Sequence, residues 1–569
     1  MKAASVSPLA RLRRSISVTI VVLASTLLIA VSAVAQSPTP PYYPPGSYTP
    51  FNVFEGVKSD GSSSFSFPTN GSPITVMGIV LNNPSDMLDS TPNFQPWNGG
   101  ANMFNLGGQW QVFIQAYSDP TVGGSSTDYG GCEVWMGQNY GNLPWIGTSA
   151  DSYTNSQWTA QLARLNSPTL LSTGNSVSLQ AGDVVAITGY GLEYAGMMNV
   201  NEQHQIYNSF TITALETGVP LPAPTVTTLS QLMNSSGTFY FDPTRQTGAE
   251  RLQGTLVQLD GVRLLSGTWA PNNQVVVTDG SLRQMILNLG NNPNLTTAPT
   301  GAFNVTGIED QESTDGSNQD GYTLWLTDSG NVSVQPGAGG TFNWSGSGGS
   351  WNVTNNWNLG SKPKNAGDVA VLGGSLAVTA TVTLDGNQKA GGLIFANSNS
   401  ATTGYTLSSG TGGRLTLDNS GTTAFLTVMS GSHTITAPLL LSDNLDANVA
   451  VGSSLTLSGG LGENSPGMSL CEDGGGLLIL SGTNTYNGGT TVNAGTLVLT
   501  SGSALPDGSS LTVGAGATMI FDSSAVAAST LSPTTLQINP VPEPGSLTLL
   551  AVAIVGFLLH YQTKRKNHE

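Results

Sequence analysis

One pattern constrains the fold of this chain more than any other: between residues 370 and 457, short strand-forming runs follow one another in quick succession. Each run has three to seven residues and is bounded by turn-forming Gly, Asn, Asp or Ser. The runs are Ala370–Leu372, Val378–Leu384, Gly392–Phe395, Leu415–Leu417, Leu426–Met429, Leu439–Leu441 and Leu455–Leu457. Strands this short and this frequent predict a solenoid over residues 341–530, in which each coil stacks on the previous one.

The composition agrees with an all-β chain. Only 9% of the 569 residues are charged, against roughly 25% in ordinary soluble domains, and 71 are glycine, well above the usual share of about 7%. A chain of this kind relies on Gly, Ser, Thr and Asn turns between strands. Its length gives room for three or four domains.

The first half of the chain has longer strand-like runs in two blocks, residues 51–218 and 225–335. In both blocks a glycine interrupts a β-run, as Gly78 and Gly189 do in the first and Gly254 and Gly307 in the second. Glycine within a strand marks a bulge or bend, by which small barrels turn a corner. The runs are Ile74–Val80, Gln111–Tyr117, Ser176–Tyr190 and Phe210–Leu215, then Leu252–Val257, Gln274–Thr278, Ala302–Ile308 and Tyr322–Thr327. We predict two tandem five-stranded barrels, which resemble the OB-like modules of extracellular bacterial nucleases and lipoproteins.

An insertion is predicted in the first barrel, over residues 119–175, and it carries Trp135, Trp145 and Trp158. Exposed aromatic side chains on a barrel can stack on sugar rings. The alternative is that the three indoles form a small core within the insertion itself. Both interpretations are open at the level of sequence.

The segment Gly474–Leu499 reads GGGLLILSGTNTYNGGTTVNAGTLVL. It resembles the autotransporter-associated β-strand repeat, also called the passenger-associated transport repeat, over residues 474–520, and the resemblance implies a parallel β-helix. Period-two alternation then predicts that Leu497 and Leu499 point into the coil and Val498 points out. The outward positions Leu477 and Ile479 are apolar, which indicates that another segment covers this rung.

The N-terminus has the features of a secretory signal peptide, residues 1–35. Three arginines up to Arg14 precede a mostly apolar run, and Ala33 and Ala35 form a small-x-small cleavage site. Residues 36–50 follow as a proline-rich linker. The mature chain is therefore predicted to be exported.

The C-terminus carries a second targeting segment, residues 541–566. Pro542, Glu543 and Pro544 end the folded body, an apolar run follows up to Tyr561, and a basic cluster closes the segment. The basic residues are Lys564, Arg565 and Lys566. This order resembles the PEP-CTERM sorting signal, which implies recognition and cleavage by an exosortase-type membrane protease in bacteria that make extracellular polysaccharide. The apolar run predicts a single short transmembrane helix of about 22 Å, below the roughly 30 Å of a bilayer core, and hence a transient inner-membrane anchor.

The sequence shows no catalytic constellation, so we expect a protein that is not an enzyme and that needs no cofactor. Cys132 and Cys471 are far apart, and each is interpreted as a small buried apolar side chain. The histidines His204 and His433 are interpreted as solvated or loop residues. Five carboxylates are predicted to cluster in the loop after Ile308, where oxygen ligands for calcium are an open possibility: Glu309, Asp310, Glu312, Asp315 and Asp320.

Charge excludes one class of partner. Residues 51–335 contain 22 Asp and Glu against 6 Lys and Arg. Such a surface repels phosphate backbones, so no nucleic acid is expected as a partner. Acid pairs are available in the solenoid, Asp443 with Asp446 and Glu472 with Asp473, but they have no distinguishing context.

Three hypotheses for function follow. The first is an exported structural or adhesion protein of the cell surface or extracellular matrix, which is a non-catalytic scaffold. The second is a carbohydrate-binding protein that recognises exopolysaccharide through its OB-like half. The third is a polysaccharide-cleaving enzyme built on the β-helix.

Overall fold

The computed structural model describes residues 47–522, except 69–70, 93–106, 121–123, 139–151, 204–205, 207, 293, 329–330, 336–338, 346 and 398–402. The fold is all-β, with only 6% helix. Within these residues, no helix is long and apolar enough to cross a membrane. The predicted signal peptide with Ala33 and Ala35, and the predicted tail helix with its sorting residues, lie outside the described part.

The first barrel closes five strands in the order β1-β2-β3-β6-β5, and β5 pairs back with β1. The pair β3–β6 is parallel, and the other pairs of the ring are antiparallel. Two further strands, β7 and β4, extend the sheet from β5. The elements are α1 Phe51–Phe54, β1 Ile74–Val80, β2 Gln109–Ala116, β3 Gly131–Gly137, α2 Asn155–Leu165, β4 Thr169–Leu170, β5 Val184–Tyr194, β6 Met197–Asn201 and β7 Thr211–Glu216.

The second barrel repeats this strand order as β9-β10-β11-β13-β12, and β12 pairs back with β9. Here β11–β13 is the parallel pair. The elements are β8 Thr225–Thr227, α3 Leu229–Leu232, β9 Leu256–Gly267, β10 Gln274–Thr278, β11 Gln284–Leu289, β12 Phe303–Gln311, β13 Tyr322–Leu326 and β14 Val332–Val334. Two five-stranded barrels in tandem are therefore confirmed, whereas their kinship with OB-like modules stays a prediction.

Two of the predicted glycines lie where a strand passes from one neighbour to the other. Gly78 of β1 pairs with both β2 and β5. Gly307 of β12 pairs with β9, and the next residue pairs with both β9 and β13. A β-carbon at Gly78 would lie 2.5 Å from the carbonyl oxygen of Gln115, and one at Gly307 would lie 2.4 Å from that of Trp325. The prediction was wrong for Gly254, which precedes β9 and adopts φ +66°.

The predicted insertion is also corrected. Residues 131–137 form β3, a strand of the barrel ring itself, so Trp135 belongs to the barrel and not to an appendage. Other boundaries moved as well. The run predicted from Ser176 becomes a strand only at Val184, and the run predicted from Leu252 begins at Leu256.

The C-terminal half is a parallel β-helix of about seven turns. Three parallel sheets run along it, with eight, eight and four strands. The eight-stranded sheets are β15-β17-β20-β23-β26-β29-β31-β33 and β16-β18-β21-β24-β27-β30-β32-β34, and the third is β19-β22-β25-β28. Their bounds are β15 Thr341–Asn343, β16 Gly349–Ser350, β17 Val369–Gly374, β18 Ala380–Leu384, β19 Asn387–Ala390, β20 Gly392–Asn397, β21 Tyr405–Ser409, β22 Arg414–Leu417, β23 Ala424–Ser430, β24 Ser432–Ile435, β25 Leu439–Leu441, β26 Leu445–Val449, β27 Ser454–Leu457, β28 Leu461–Glu463, β29 Leu470–Glu472, β30 Leu477–Leu480, β31 Thr490–Val492, β32 Thr496–Leu499, β33 Leu511–Val513 and β34 Thr518–Phe521, with a 3₁₀ turn at Thr354–Asn356.

One continuous apolar core runs through the solenoid, and Leu497 and Leu499 belong to it as predicted. Val498 and Ile479 are in register on neighbouring strands and lie outside that core. Val498 thus points out of the coil as predicted, but both side chains are buried. The apolar side chains at these outward positions are therefore covered.

Two residues that looked unremarkable in sequence have specific places in the solenoid. His433 lies in β24, is buried and stacks on Phe395 with 4.3 Å between ring centroids, so it is not a solvated loop residue. Burial lowers the pKa of His433 to about 4, and its Nδ1 accepts the Tyr405 amide at 2.9 Å. Cys471 is partly exposed, contrary to its interpretation as a buried side chain, whereas Cys132 is buried.

Candidate functional site

The two barrels enclose a cleft of about 420 Å³. One wall is the outer face of β2, β3 and β6 in the first barrel, and the other consists of the ends of β12 and β13 in the second. Alternation along β3 explains this wall. Val134 and Met136 face the barrel core, so Glu133 and Trp135 face the cleft.

Carboxylates from both barrels converge in the cleft. On the first barrel, Gln111 donates from Nε2 to Oε1 of Glu133 at 2.7 Å. On the second, buried Asp310 accepts from the Trp325 indole at 3.0 Å and from the Gln311 amide at 2.8 Å. Each carboxylate is therefore oriented by donors of its own barrel, and both line the same cleft and repel each other electrostatically.

Burial and mutual repulsion keep these acids protonated to unusually high pH. Burial raises the pKa of Asp310 to about 7, with a further contribution from the Glu312 carboxylate, while the Trp325 and Gln311 donors lower it in part. Burial raises the pKa of Glu133 well above its ordinary value, and Asp310 and Glu312 add to this. Hence, as the pH rises through neutrality, the cleft gains negative charge.

The turn between β5 and β6 fixes one end of the cleft. Ala195 and Gly196 adopt φ +50° and +96°, which makes the turn tight. The Ala195 carbonyl accepts from the amide of Ser313 at 2.8 Å, and Gly196 pairs with Glu312 as an isolated bridge. This turn of the first barrel is thus joined to the end of β12 by backbone hydrogen bonds.

The cleft combines aromatic surface with acidic and amide groups. Among the described residues that line it, Trp135 is half-buried, Tyr194 is exposed, and none is basic. Oε1 of Gln111 is buried and accepts no hydrogen bond within the described part of the chain. The arrangement suits a ligand with hydroxyl donors and a face that stacks on an aromatic ring.

The predicted aromatic residues divide between cleft and core. Trp135 lines the cleft, whereas Trp158 of α2 is fully buried in the barrel core and donates from its indole to the Ser90 carbonyl at 2.8 Å. Trp158 is therefore a core residue, but of the barrel and not of a separate core within the insertion. Trp145 and His204 lie outside the described residues, as do the sorting residues Pro542, Glu543, Pro544, Lys564, Arg565 and Lys566.

The predicted acidic loop after Ile308 does not exist in that form. Residues up to Gln311 continue β12, so Glu309 and Asp310 occupy successive strand positions. Asp315 and Asp320 instead share the hydroxyl of Ser313, at 3.2 and 2.6 Å. Sequence reasoning missed Glu133 as a site residue, although the alternation of β3 could have placed it beside Trp135.

A second acidic group lies on the solenoid. Across the described ranges, Asp446, Cys471 and Asp473 form the one group in which three potential metal-ligand atoms all lie within 4.8 Å. Asn493 donates to Asp473 at 2.6 Å and to the Cys471 sulfur at 3.2 Å. Burial and then Asp473 raise the pKa of Asp446 to about 7, and the same two causes raise that of the thiol to about 12. Glu472, between them, is fully buried instead.

Two family models match the chain. Residues 473–499 match the passenger-associated-transport-repeat, and residues 540–565 match the PEP-CTERM protein-sorting motif. Both resemblances stated from the sequence are therefore confirmed. A comparison with curated proteins gives no match.

These two matches indicate where the protein works. The repeat coincides with β30 to β32 of the solenoid, and the sorting motif is of the type recognised by an exosortase. Together they indicate an exported surface protein with a β-helix fold. Sorting and repeat segments are consistent with a non-catalytic protein.

Proposed function

We propose that this protein is a non-catalytic scaffold of the cell surface or extracellular matrix that binds extracellular polysaccharide in the inter-barrel cleft. The observation that carries the proposal is the grouping of Trp135 and Tyr194 with Gln111, Glu133 and Asp310 in one cleft. The rings offer stacking surface, and the carboxyl and amide groups offer hydrogen-bond partners for sugar hydroxyls. The sorting motif supports delivery to a polysaccharide-rich surface.

The barrel topology supports the same proposal. Both barrels have the same strand order, and in each the third and fifth barrel strands along the chain form the parallel pair. The cleft lies on the outer face of β2 and β3, which are the second and third strands of the first barrel. In OB-folds that face binds oligosaccharides and oligonucleotides. The excess of acidic residues opposes the second class of ligand.

A glycan array with the full-length protein tests the proposal, followed by two matched variants. Tyr194 lines the cleft and is 46% exposed, whereas Tyr240 lies outside it and is 47% exposed. We expect Tyr194→Ala to weaken binding of the selected glycan by roughly fivefold, corresponding to about 1 kcal/mol of stacking, and Tyr240→Ala to leave it unchanged. Equal affinities for both variants would contradict the proposal, and release of reducing ends would identify the protein as a polysaccharide-cleaving enzyme instead.

A further inference from the structure

A second cavity between the barrels has the opposite electrostatic character. It encloses about 410 Å³ between the end of β2 with the following Asp128–Gly130 loop, and the segment Arg245–Leu252 of the second barrel. Arg245 and Arg251 both line it, although residues 51–335 contain only six basic residues in total. A third of the positive charge of this half is thus gathered around one cavity.

The guanidinium of Arg245 is buried but not satisfied. Arg245 is only 3% exposed, and its Nε donates to the Glu250 carbonyl at 3.1 Å. Its Nη1 and Nη2 have no hydrogen-bond partner, and it forms no ion pair within 4.0 Å among the described residues. A buried charge is ordinarily paired, because taking it out of water without a partner is strongly unfavourable.

Neighbouring residues hold this guanidinium in position. Its Cζ lies 5.5 Å from the ring centroid of Tyr129, within the range of a cation–π contact. A β-carbon at residue 130 would lie 2.9 Å from Nη2, and Gly130 adopts φ +97°, so glycine is needed there. The packing thus places an arginine with two unpaired Nη donors beside a cavity.

Four carboxyl groups interact electrostatically with Arg245, but in the described part of the chain none of them pairs with it within 4.0 Å. Burial raises the pKa of Glu55 and Glu309 well above their ordinary values and that of Glu250 to about 7, while the charge of Arg245 lowers each of them in part. Asp128 also lines the cavity, and its carboxylate oxygens accept hydrogen bonds from the backbone amides of Phe51 at 3.1 Å and Asn52 at 2.9 Å. The two Nη groups of Arg245 therefore keep donors that these carboxyl groups do not use.

We propose that this cavity binds an oxyanion, with the two Nη groups of Arg245 as its principal donors and Arg251 as a second cation. A carboxylate or sulfate matches the fork of a guanidinium in two parallel hydrogen bonds. The oxyanion can be a free inorganic ion or a substituent carried by a sugar. The site uses none of the cleft residues proposed to bind polysaccharide, so either proposal can fail without the other.

Calorimetric titration of the full-length protein tests this site at constant ionic strength. The probes are sodium sulfate and sodium glucuronate, with glucose and sodium chloride as controls. We expect wild-type protein to bind at least one oxyanion, and Arg245→Gln to weaken that binding by more than about tenfold. Arg414→Gln, which removes an exposed arginine from the solenoid, should bind like wild type.

Because Arg245 is buried, a loss of binding in Arg245→Gln can also come from misfolding, so a second variant at an exposed position is needed. Arg251 is exposed, so Arg251→Gln should fold normally and still weaken oxyanion binding several-fold. Binding of sulfate alone identifies a free ion as the ligand, and binding of glucuronate with or without sulfate identifies a sugar-borne group. Absence of binding by folded wild-type protein at about 10 mM of either anion, or unchanged affinity in both arginine variants, would overturn the proposal.

Discussion

At the residue scale, Val498 shows that a side chain can point out of the coil and still be buried. Alternation places it on the outer side of β32, yet it is only 1% exposed. Ile520 follows it in register on β34 and is 42% exposed. The same column of one sheet therefore contains a covered and an uncovered apolar side chain.

This pair yields a stability prediction. Leu497→Asp and Val498→Asp each place an unpaired charge in a buried position and should lower the free energy of unfolding by several kcal/mol. Ile520→Asp should lower it by less than about 1 kcal/mol, because that position reaches solvent. Urea melts of the three variants provide the measurement. A loss at position 498 as small as that at 520 would show that nothing covers Val498.

Asp310 predicts a pH dependence of stability. Its folded pKa of about 7 lies above the unfolded value of roughly 3.9, so between those pH values the folded state binds more protons. Its contribution is fully present below about pH 4 and is lost as the pH rises through 7.

The variant Asp310→Asn mimics the protonated acid, so it should flatten the decline of the unfolding free energy between about pH 5 and 8. Urea melts across that range measure the slope, which a single group can change by at most about 1.4 kcal/mol per pH unit. Asp315→Asn is the control, because hydrogen bonds from Ser317 hold the pKa of Asp315 below its ordinary value. An unchanged slope in Asp310→Asn would show that Asp310 is ionised throughout.

At the element scale, three tryptophans close the first coil of the solenoid. The rings of Trp344 and Trp351 meet that of Trp357 edge to face, with centroids 5.0 and 4.7 Å away. All three belong to the apolar core, and the Trp357 indole donates to the Trp351 carbonyl at 2.9 Å. A solenoid needs such a cap, because its first coil has a neighbour on one side only.

Removal of the cap should loosen the coils nearest to it. Trp357→Ala is expected to cost about 3–5 kcal/mol and to reduce amide-exchange protection in β15 to β18 before it reaches later coils. Val353→Ala, at an exposed neighbouring position, should change stability by less than about 0.5 kcal/mol. Hydrogen exchange followed by mass spectrometry measures both. Uniform loss of protection along all coils would instead indicate a single cooperative unit.

At the scale of the whole molecule, the barrels and the solenoid are in direct contact. Arg263 of β9 donates to the carbonyls of Gly339 and Gly367 at 2.7 and 3.3 Å. Phe425 of β23 packs with Leu265 of β9, and a β-carbon at Gly280 would lie 2.7 Å from its ring. The outer face of one solenoid sheet is thus used to hold the second barrel.

The fate of the tail is a prediction at the same scale. If the PEP-CTERM segment is a transient anchor, mass spectrometry of the protein recovered from the cell surface should show a C-terminus near Pro542. Pro542→Ala with Pro544→Ala should leave the tail attached, if the protease recognises this element. An intact Glu569 on most wild-type molecules would contradict the prediction.

Local pattern determined much of this protein from sequence alone. Short strands between turn residues predicted the solenoid, glycines within longer runs predicted the barrels, and the tail predicted export, because each depends on residues adjacent in the chain. The boundaries of β5 and β9 were predicted less accurately, and β3 was mistaken for part of an insertion. A strand of a barrel ring can be recognised only together with the strands that pair with it.

Only the tertiary structure shows which residues pack against the outer face of each strand. Period two places Glu133 and Val498 on outer faces. It does not show that Asp310 lies in the same cleft as Glu133 or that Val498 is covered. The same holds for Arg245, whose unpaired guanidinium results from the packing of one barrel against another. Alternation assigns a side chain to a face, whereas its pKa, its burial and its ligand depend on residues that are distant in the chain and close in space.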